Sequence, residues 1–218
     1  MKLNRDNEKE GIVIAVTNQK GGTGKTTVTL NLGTALAMSG NSVLLVDVDN
    51  QISLTSGMFI DPEVTKKKNF GTALERFLDK KTVNMKNYIY HKKYVDIIAG
   101  NRMIYTLKSE IERHEEKNTI YKQLIDQLKP LYDYILIDCP PEPGTDKVRI
   151  YTAADKLLVV SEPSKYSLDG VIDAVEMAHI TKQFSNDKLE VVGIVINKFN
   201  SRYKNHKEYM NLIYEEYE

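Results

Sequence analysis

The chain has 218 residues, with 30 Lys and Arg against 30 Asp and Glu, one cysteine and no tryptophan. That length suits one domain, and 41% hydrophobic residues are enough for a core. Zero net charge excludes a polycation, so any nucleic-acid binding must come from a local patch; the lone Cys139 excludes an internal disulfide and a four-cysteine zinc or iron–sulfur site within one chain.

Past a polar leader (residues 1–10), Ile12–Thr17 is the first apolar, β-branched run. A glycine-rich turn follows. Leu30, Leu32, Ala35 and Leu36 then predict a helix over Thr26–Ser39, stopped by Gly40. Val43–Val46 is the second strand, and Asp61 to Lys93 is the least regular and most basic stretch. Val95–Ala99 is the third strand. Ile120, Tyr121, Leu124, Ile125 and Leu128 recur at helical spacing until Pro130. Tyr134–Ile137 and Leu157–Ser161 are the next strands. Leu168, Val171, Ile172, Val175 and Ala178 predict a helix after Ser167 as N-cap, with His179 as a packing residue. Val191–Ile196 is the sixth strand, and Met210, Ile213, Tyr214 and Tyr217 form a terminal helical stripe. The strand runs are continuously apolar, which suits strands covered on both faces. Strands alternating with helices predict a single α/β domain over 11–218, a parallel sheet with helices on both faces. No apolar run approaches the roughly 20 residues that span a bilayer. The leader lacks a signal-peptide core, and sparse cysteine fits a reducing, cytoplasmic setting.

The strongest local signal is Lys20-Gly21-Gly22-Thr23-Gly24-Lys25-Thr26-Thr27, set between a strand and a helix. That is the context a phosphate loop requires. Against the pattern G-x-x-x-x-G-K-[ST], Gln19 stands at the first glycine position and the rest is intact. Glycines let backbone N–H groups converge on phosphate oxygens, and the helix N-terminus adds positive potential. In this arrangement Gly21, Gly22, Thr23, Gly24, Lys25, Thr26 and Thr27 bind the nucleotide. Lys25 reaches the β- and γ-phosphates, and the Thr26 hydroxyl ligates Mg²⁺. The bland reading of the same residues is a glycine-rich turn without a ligand. Asp138 ends the strand Tyr134–Ile137, at the carboxyl edge where open α/β sheets bind ligands. It is either a second Mg²⁺ ligand or a strand-end cap. Asp47 and Asp49, spaced i, i+2 after Val43–Val46, share one side of an extended segment. They either flank a cation or form a solvated pair in a turn.

The loop KGGTGKTT resembles the deviant Walker A motif of the ParA/MinD family of P-loop ATPases. Asp47-Val48-Asp49-Asn50-Gln51 resembles that family's D-x-D-P-Q motif, with Asn50 in place of proline, and Asp138-Cys139-Pro140-Pro141 resembles its Walker B. Thr17-Asn18-Gln19 and the form of the second motif point to the ParA, or partition, branch. The resemblance runs from about Gly11 to about Tyr203. It implies an ATP- and Mg²⁺-dependent ATPase in plasmid or chromosome partition. Asp49 would position the attacking water, Asp47 and Asp138 would lie near Mg²⁺, and Asn197 would help bind adenine, its amide offering both donor and acceptor, though it could as easily cap a loop. Lys20 would cross a homodimer interface to the partner's phosphates; otherwise it is a solvated loop lysine. The implied partners are nonspecific DNA, contacted here by Arg202 and Lys204, and a ParB-like centromere-binding protein that stimulates slow hydrolysis. Those two cations could equally be solvated surface charge. The implied location is cytoplasmic, on the nucleoid when ATP is bound. In the family a further strand and helices follow the segment near Lys207, so the chain reads as short at that end.

Other branches are separable on residues. A MinD-like membrane ATPase calls for a cationic amphipathic terminus, and this one ends Tyr-Glu-Glu-Tyr-Glu. A nitrogenase-reductase-like electron carrier needs two cluster cysteines per subunit. Tyr209, Tyr214 and Tyr217 faintly resemble the tail of bacterial tyrosine kinases, and a helix explains them better. A non-hydrolysing scaffold sits poorly with a full set of catalytic positions.

Overall fold

The computed structural model describes residues 10–217; the predicted leader, apart from Glu10, lies outside the described residues. Seven strands form one sheet: β1 (Ile12–Thr17), β2 (Val43–Asp47), β3 (Ile89–Tyr90), β4 (Asp96–Ile98), β5 (Tyr134–Asp138), β6 (Lys156–Ser161) and β7 (Glu190–Ile196). Their order is β3-β4-β2-β5-β1-β6-β7. All pairings are parallel except β3 with β4, so the predicted parallel sheet acquires one antiparallel edge. The helices are α1 (Lys25–Met38), α2 (Ser53–Gly57), α3 (Pro62–Thr65), α4 (Phe70–Leu78), α5 (Met103–Thr106), α6 (Lys108–Arg113), α7 (Ile120–Asp126), α8 (Thr145–Ala153), α9 (Lys165–Phe184) and α10 (Lys204–Tyr217).

Alternation along the central strands divides the core in two. Val43, Leu45, Ile97 and Leu136 face α1 and α2, joining Leu30, Leu36 and Leu54. Leu44, Val46, Ile98, Ile135 and Ile137 face the other layer, with Phe70, Leu74, Leu124, Ile150 and Val171. Both faces being covered, strand residues of either parity are apolar, which is why these runs lack alternation in the sequence.

Local signals set most ends. Gly40 adopts φ 92° just past α1, the left-handed stop expected of it. Pro130 sits in a 3₁₀ turn (Lys129–Leu131) after α7. Two expectations need correction. The helix predicted after Ser167 starts at Lys165 with Ser164 in the cap position, and Ser167 is buried inside its first turn. His179 is exposed rather than packed. The stretch 61–93, the least regular in sequence, holds short elements, among them amphipathic α4, which buries Phe70, Ala73, Leu74 and Leu78 and whose start Asn69 closes with a reciprocal capping box to Thr72. In α10 the predicted stripe is partly realised, with Ile213 buried, Tyr217 against the core and Tyr214 half-exposed.

Candidate nucleotide site

The six parallel strands end on one edge, and β1 lies at its centre between β5 and β6. The strand after β1 pairs on the far side of β5, so chain direction diverges around β1, the position where open α/β sheets carry their ligand crevice. The predicted phosphate loop leaves β1 there and turns into α1. Gly24, at φ 96°, is the last residue before the helix. A Cβ on it would come within 2.1 Å of Asn197 Nδ2, so both its conformation and its contact demand glycine.

The loop is rich in unspent donors. No side chain among the described residues caps α1, and its first turn holds no acid, leaving N–H groups and the positive helix end facing the crevice. Thr23 is wholly buried, and its Oγ1 has no partner among the described residues. Lys25 is nearly buried, and its ammonium donates to Lys20 O at 3.2 Å. Burial pulls its pKa down, opposed by the neighbouring Cys139 and Asp138. The helix N–H groups, the Thr23 hydroxyl and the Lys25 ammonium gather positive and hydrogen-bonding groups on one loop, the donor set a polyphosphate matches.

The acids behave differently from one another. Asp138 is fully buried at the end of β5 and accepts from Thr26 Oγ1 at 2.7 Å. Burial pushes its pKa up to about 7, with the Thr26 bond opposing. Asp47, its neighbour in register on β2, is also fully buried, and burial pushes it up to about 6. Its Oδ2 accepts from Thr55 N at 2.8 Å and Thr55 Oγ1 at 2.6 Å, and its Oδ1 from Asp49 N at 3.2 Å. Gly100 packs so closely that a Cβ there would meet Asp47 Cγ at 2.8 Å. The carboxylate of Asp47 is thus committed to protein groups. Asp49 accepts from Gln51 N at 2.9 Å, and burial raises its pKa too. No cluster of three or more His, Cys, Asp or Glu placed for a metal occurs among the described residues. Mg²⁺ beside phosphates needs only one or two carboxylates.

Asn197 follows β7 and its Nδ2 donates to Thr23 O at 2.8 Å, so its amide braces the loop. Lys20 points the other way, pairing with Glu162 and donating to Ser164 Oγ at 3.1 Å. Sequence reasoning missed Glu162, Ser164 and Lys198. The usable signal was their place directly after β6 and β7, which puts them on the ligand edge. It also missed Thr55, which holds Asp47, and Lys147, a wholly buried cation on α8. Cys139 is buried and its thiol is pushed up to about 12, which makes it an inert core residue. Arg202 and Lys204 lie exposed on the loop after β7 and the start of α10, on the same edge as the phosphate loop; Lys204 reaches Glu208 at 3.6 Å.

Comparison with known proteins identifies the family. The family model described as AAA domain (AAA_31) matches residues 11–191. The chain is 33% identical over 196 residues to the chromosome partitioning protein ParA of Myxococcus xanthus, covering 88% of this chain and 66% of that one. The chain belongs to the ParA/MinD family of P-loop ATPases. A second relative in this family, the sporulation initiation inhibitor protein Soj of Bacillus subtilis, is 29% identical, covering 88% of this chain and 74% of its own. Among solved structures, cobyrinic acid a,c-diamide synthase from Mycobacterium smegmatis, with bound ADP and magnesium, superposes with TM-score 0.86 at 25% identity, covering 95% of this chain and 83% of that one. The chain spans about two thirds of the Myxococcus relative's length. No helix among the described residues is long and apolar enough to cross a membrane.

Proposed function

We propose that this chain is a ParA-type ATPase of plasmid or chromosome partition, in which ATP binding drives homodimerisation and nonspecific DNA binding, and slow hydrolysis, stimulated by a ParB-like partner, resets the cycle. The observation that carries the nucleotide part is the orphaned Thr23 hydroxyl beside an uncapped α1 and the buried Lys25 ammonium. Residues 20–27 are assigned the phosphates. Thr26 and Asp138, already hydrogen-bonded to each other, are the groups that would hold Mg²⁺, which when bound neutralises charge on the β- and γ-phosphates. Asp49 is assigned the attacking water, with in-line geometry set by the loop that Asp47 pins. Asp47 is therefore moved from the metal shell to a positioning role, because its oxygens are engaged by Thr55 and Asp49. Asn197 is assigned to bracing the loop through Thr23 O rather than to the base. Lys20 is assigned to the partner subunit's phosphates, a cation in trans to charge that grows in the transition state. Arg202 and Lys204 are assigned to DNA phosphates.

The deciding measurement is ATP turnover of the full chain with and without nonspecific duplex DNA. The reading expects Lys25→Ala to lose nucleotide binding and Asp49→Ala to keep binding while losing turnover. Turnover that persists in Asp49→Ala removes the assigned water-positioning role. Absence of any hydrolysis in the wild-type chain, with DNA or a centromere-binding partner present, favours a scaffold.

A further inference from the structure

Glu162 belongs to none of the sequence motifs, yet each of its oxygens is taken by a lysine from a different loop. Oε1 pairs with Lys20 Nζ, and Oε2 lies 3.4 Å from Lys198 Nζ. Lys198 also donates to Gly22 O at 2.5 Å, so it spans from Glu162 to the phosphate loop, and its backbone is held at φ 55°, an uncommon value for a non-glycine residue. The backbone of Lys20 is fixed separately. Its N–H donates to Asn18 Oδ1 at 2.7 Å, and buried Asn18 is anchored to Val160 O at 2.9 Å. The ion pair itself is part-exposed, with side chains 29% and 21% accessible for Lys20 and Glu162. The four-carbon stem of Lys20 can therefore swing while the loop stays in place.

We propose that Glu162 is a positioning residue that holds Lys20 on its own subunit and thereby sets the threshold for nucleotide-dependent pairing of two copies of this chain. The inference rests on the reading that Lys20 acts across the dimer. The ammonium that Glu162 holds in cis has to leave it to reach another subunit, so dimerisation breaks this pair once in each protomer. Lys198 stands on the second oxygen, so the carboxylate keeps a cation when Lys20 departs. The hydrogen bond from Lys20, the chief cause, lowers the Glu162 pKa and keeps it ionised near neutrality. Part-exposed pairs are weak, and two of them break per dimer, so the latch changes the dimer dissociation constant by about two- to thirtyfold and does not forbid association.

The test is sedimentation velocity of the full chain over a concentration series with Mg²⁺ and a non-hydrolysable ATP analogue, for wild type, Glu162→Gln, Lys20→Ala and the double variant. Affinity for a fluorescent ATP analogue is measured alongside at concentrations too low for dimers. Glu162→Gln is expected to dimerise about two- to thirtyfold more tightly with nucleotide affinity unchanged, Lys20→Ala to stay monomeric, and the double variant to follow Lys20→Ala. A Glu162→Gln dimer no tighter than wild type, with Lys20→Ala still monomeric, overturns the latch alone. So does loss of nucleotide affinity in Glu162→Gln, which would make Glu162 a shaper of the loop. A Lys20→Ala chain that dimerises like wild type overturns the trans reading beneath it.

Discussion

Lys147 is the cation most at odds with its surroundings. It sits on α8 with no exposed surface, and its ammonium donates to Pro141 O at 3.3 Å. Among the described residues it makes no ion pair; burial first, and the nearby charge of Lys25, pull its pKa from the ordinary 10.5 to about 8. Between about pH 8 and 10.5 the unfolded chain holds a proton that the folded chain has shed. Stability therefore rises with pH across that window, and below it the penalty is present in full. The gap between 10.5 and about 8 corresponds to about 3 kcal/mol. Lys147→Met keeps most of the volume, removes the charge and forgoes one hydrogen bond worth about 1 kcal/mol. The variant is expected to be about 2 kcal/mol more stable than wild type at pH 7, or about 4–8 °C in Tm for a chain of this size. The advantage should shrink steadily to pH 10. Urea denaturation of both proteins at pH 7, 8.5 and 10 measures it. A Lys147→Met chain that is less stable at pH 7, by an amount independent of pH, refutes the account and shows the cation to be compensated by Glu142 or Asp173.

Other sites give sharper losses. Gly24→Ala places a Cβ 2.1 Å from Asn197 Nδ2 at φ 96°, so it should abolish binding of a fluorescent ATP analogue and cost about 1–3 kcal/mol of stability by thermal melt. Thr55→Val removes both Thr55 hydroxyl bonds, one given to Asp47 and one accepted from Gly100 N at 2.8 Å, stranding buried groups. A loss of about 1–3 kcal/mol is expected, with turnover falling more than nucleotide affinity because the Asp49 loop loosens. Arg202→Glu with Lys204→Glu should weaken ATP-dependent DNA binding and flatten its dependence on salt, read by fluorescence anisotropy at several NaCl concentrations. An unchanged slope places the DNA surface elsewhere.

The parts of this molecule that were legible from sequence are those whose causes are local. Strand β1, the glycine loop and α1 are contiguous, so their spacing alone defines them. Strands β2 and β5 announce themselves as apolar runs because both their faces are covered. What escaped was decided by distant chain. Strand β3 has two residues and exists because Ile89 and Tyr90 find Ile98 and Ile97 on β4, while the single Tyr90 hydroxyl hydrogen is shared between Lys68 O at 2.7 Å and Val64 O at 3.0 Å. Helix α8 shows no apolar periodicity because it is buried on more than one side, and the charged Lys147 and Arg149 take buried positions alongside Ile150 and Tyr151. Arg149 is tolerated there by Glu112 from α6 and by Asp146 at 2.8 Å.

The same distinction separates the acids of the site. Asp47, Asp49 and Asp138 look alike in sequence, each placed at the ligand edge by the end of a strand. Their chemistry is set by which loop reaches them. Helix α2 brings Thr55 onto Asp47, eight residues later in the chain, and the segment after β4 brings Gly100 against it, so that carboxylate is consumed by the fold. Among the described residues the Asp138 carboxylate accepts only from hydroxyls of α1, those of Thr26 at 2.7 Å and Thr29 at 3.5 Å. Hydroxyls can exchange a carboxylate for a cation without dismantling the backbone, whereas the Thr55 amide cannot. The acid left with replaceable partners, on the same ligand edge as a threonine hydroxyl with no partner among the described residues, is the one the fold leaves available to a ligand.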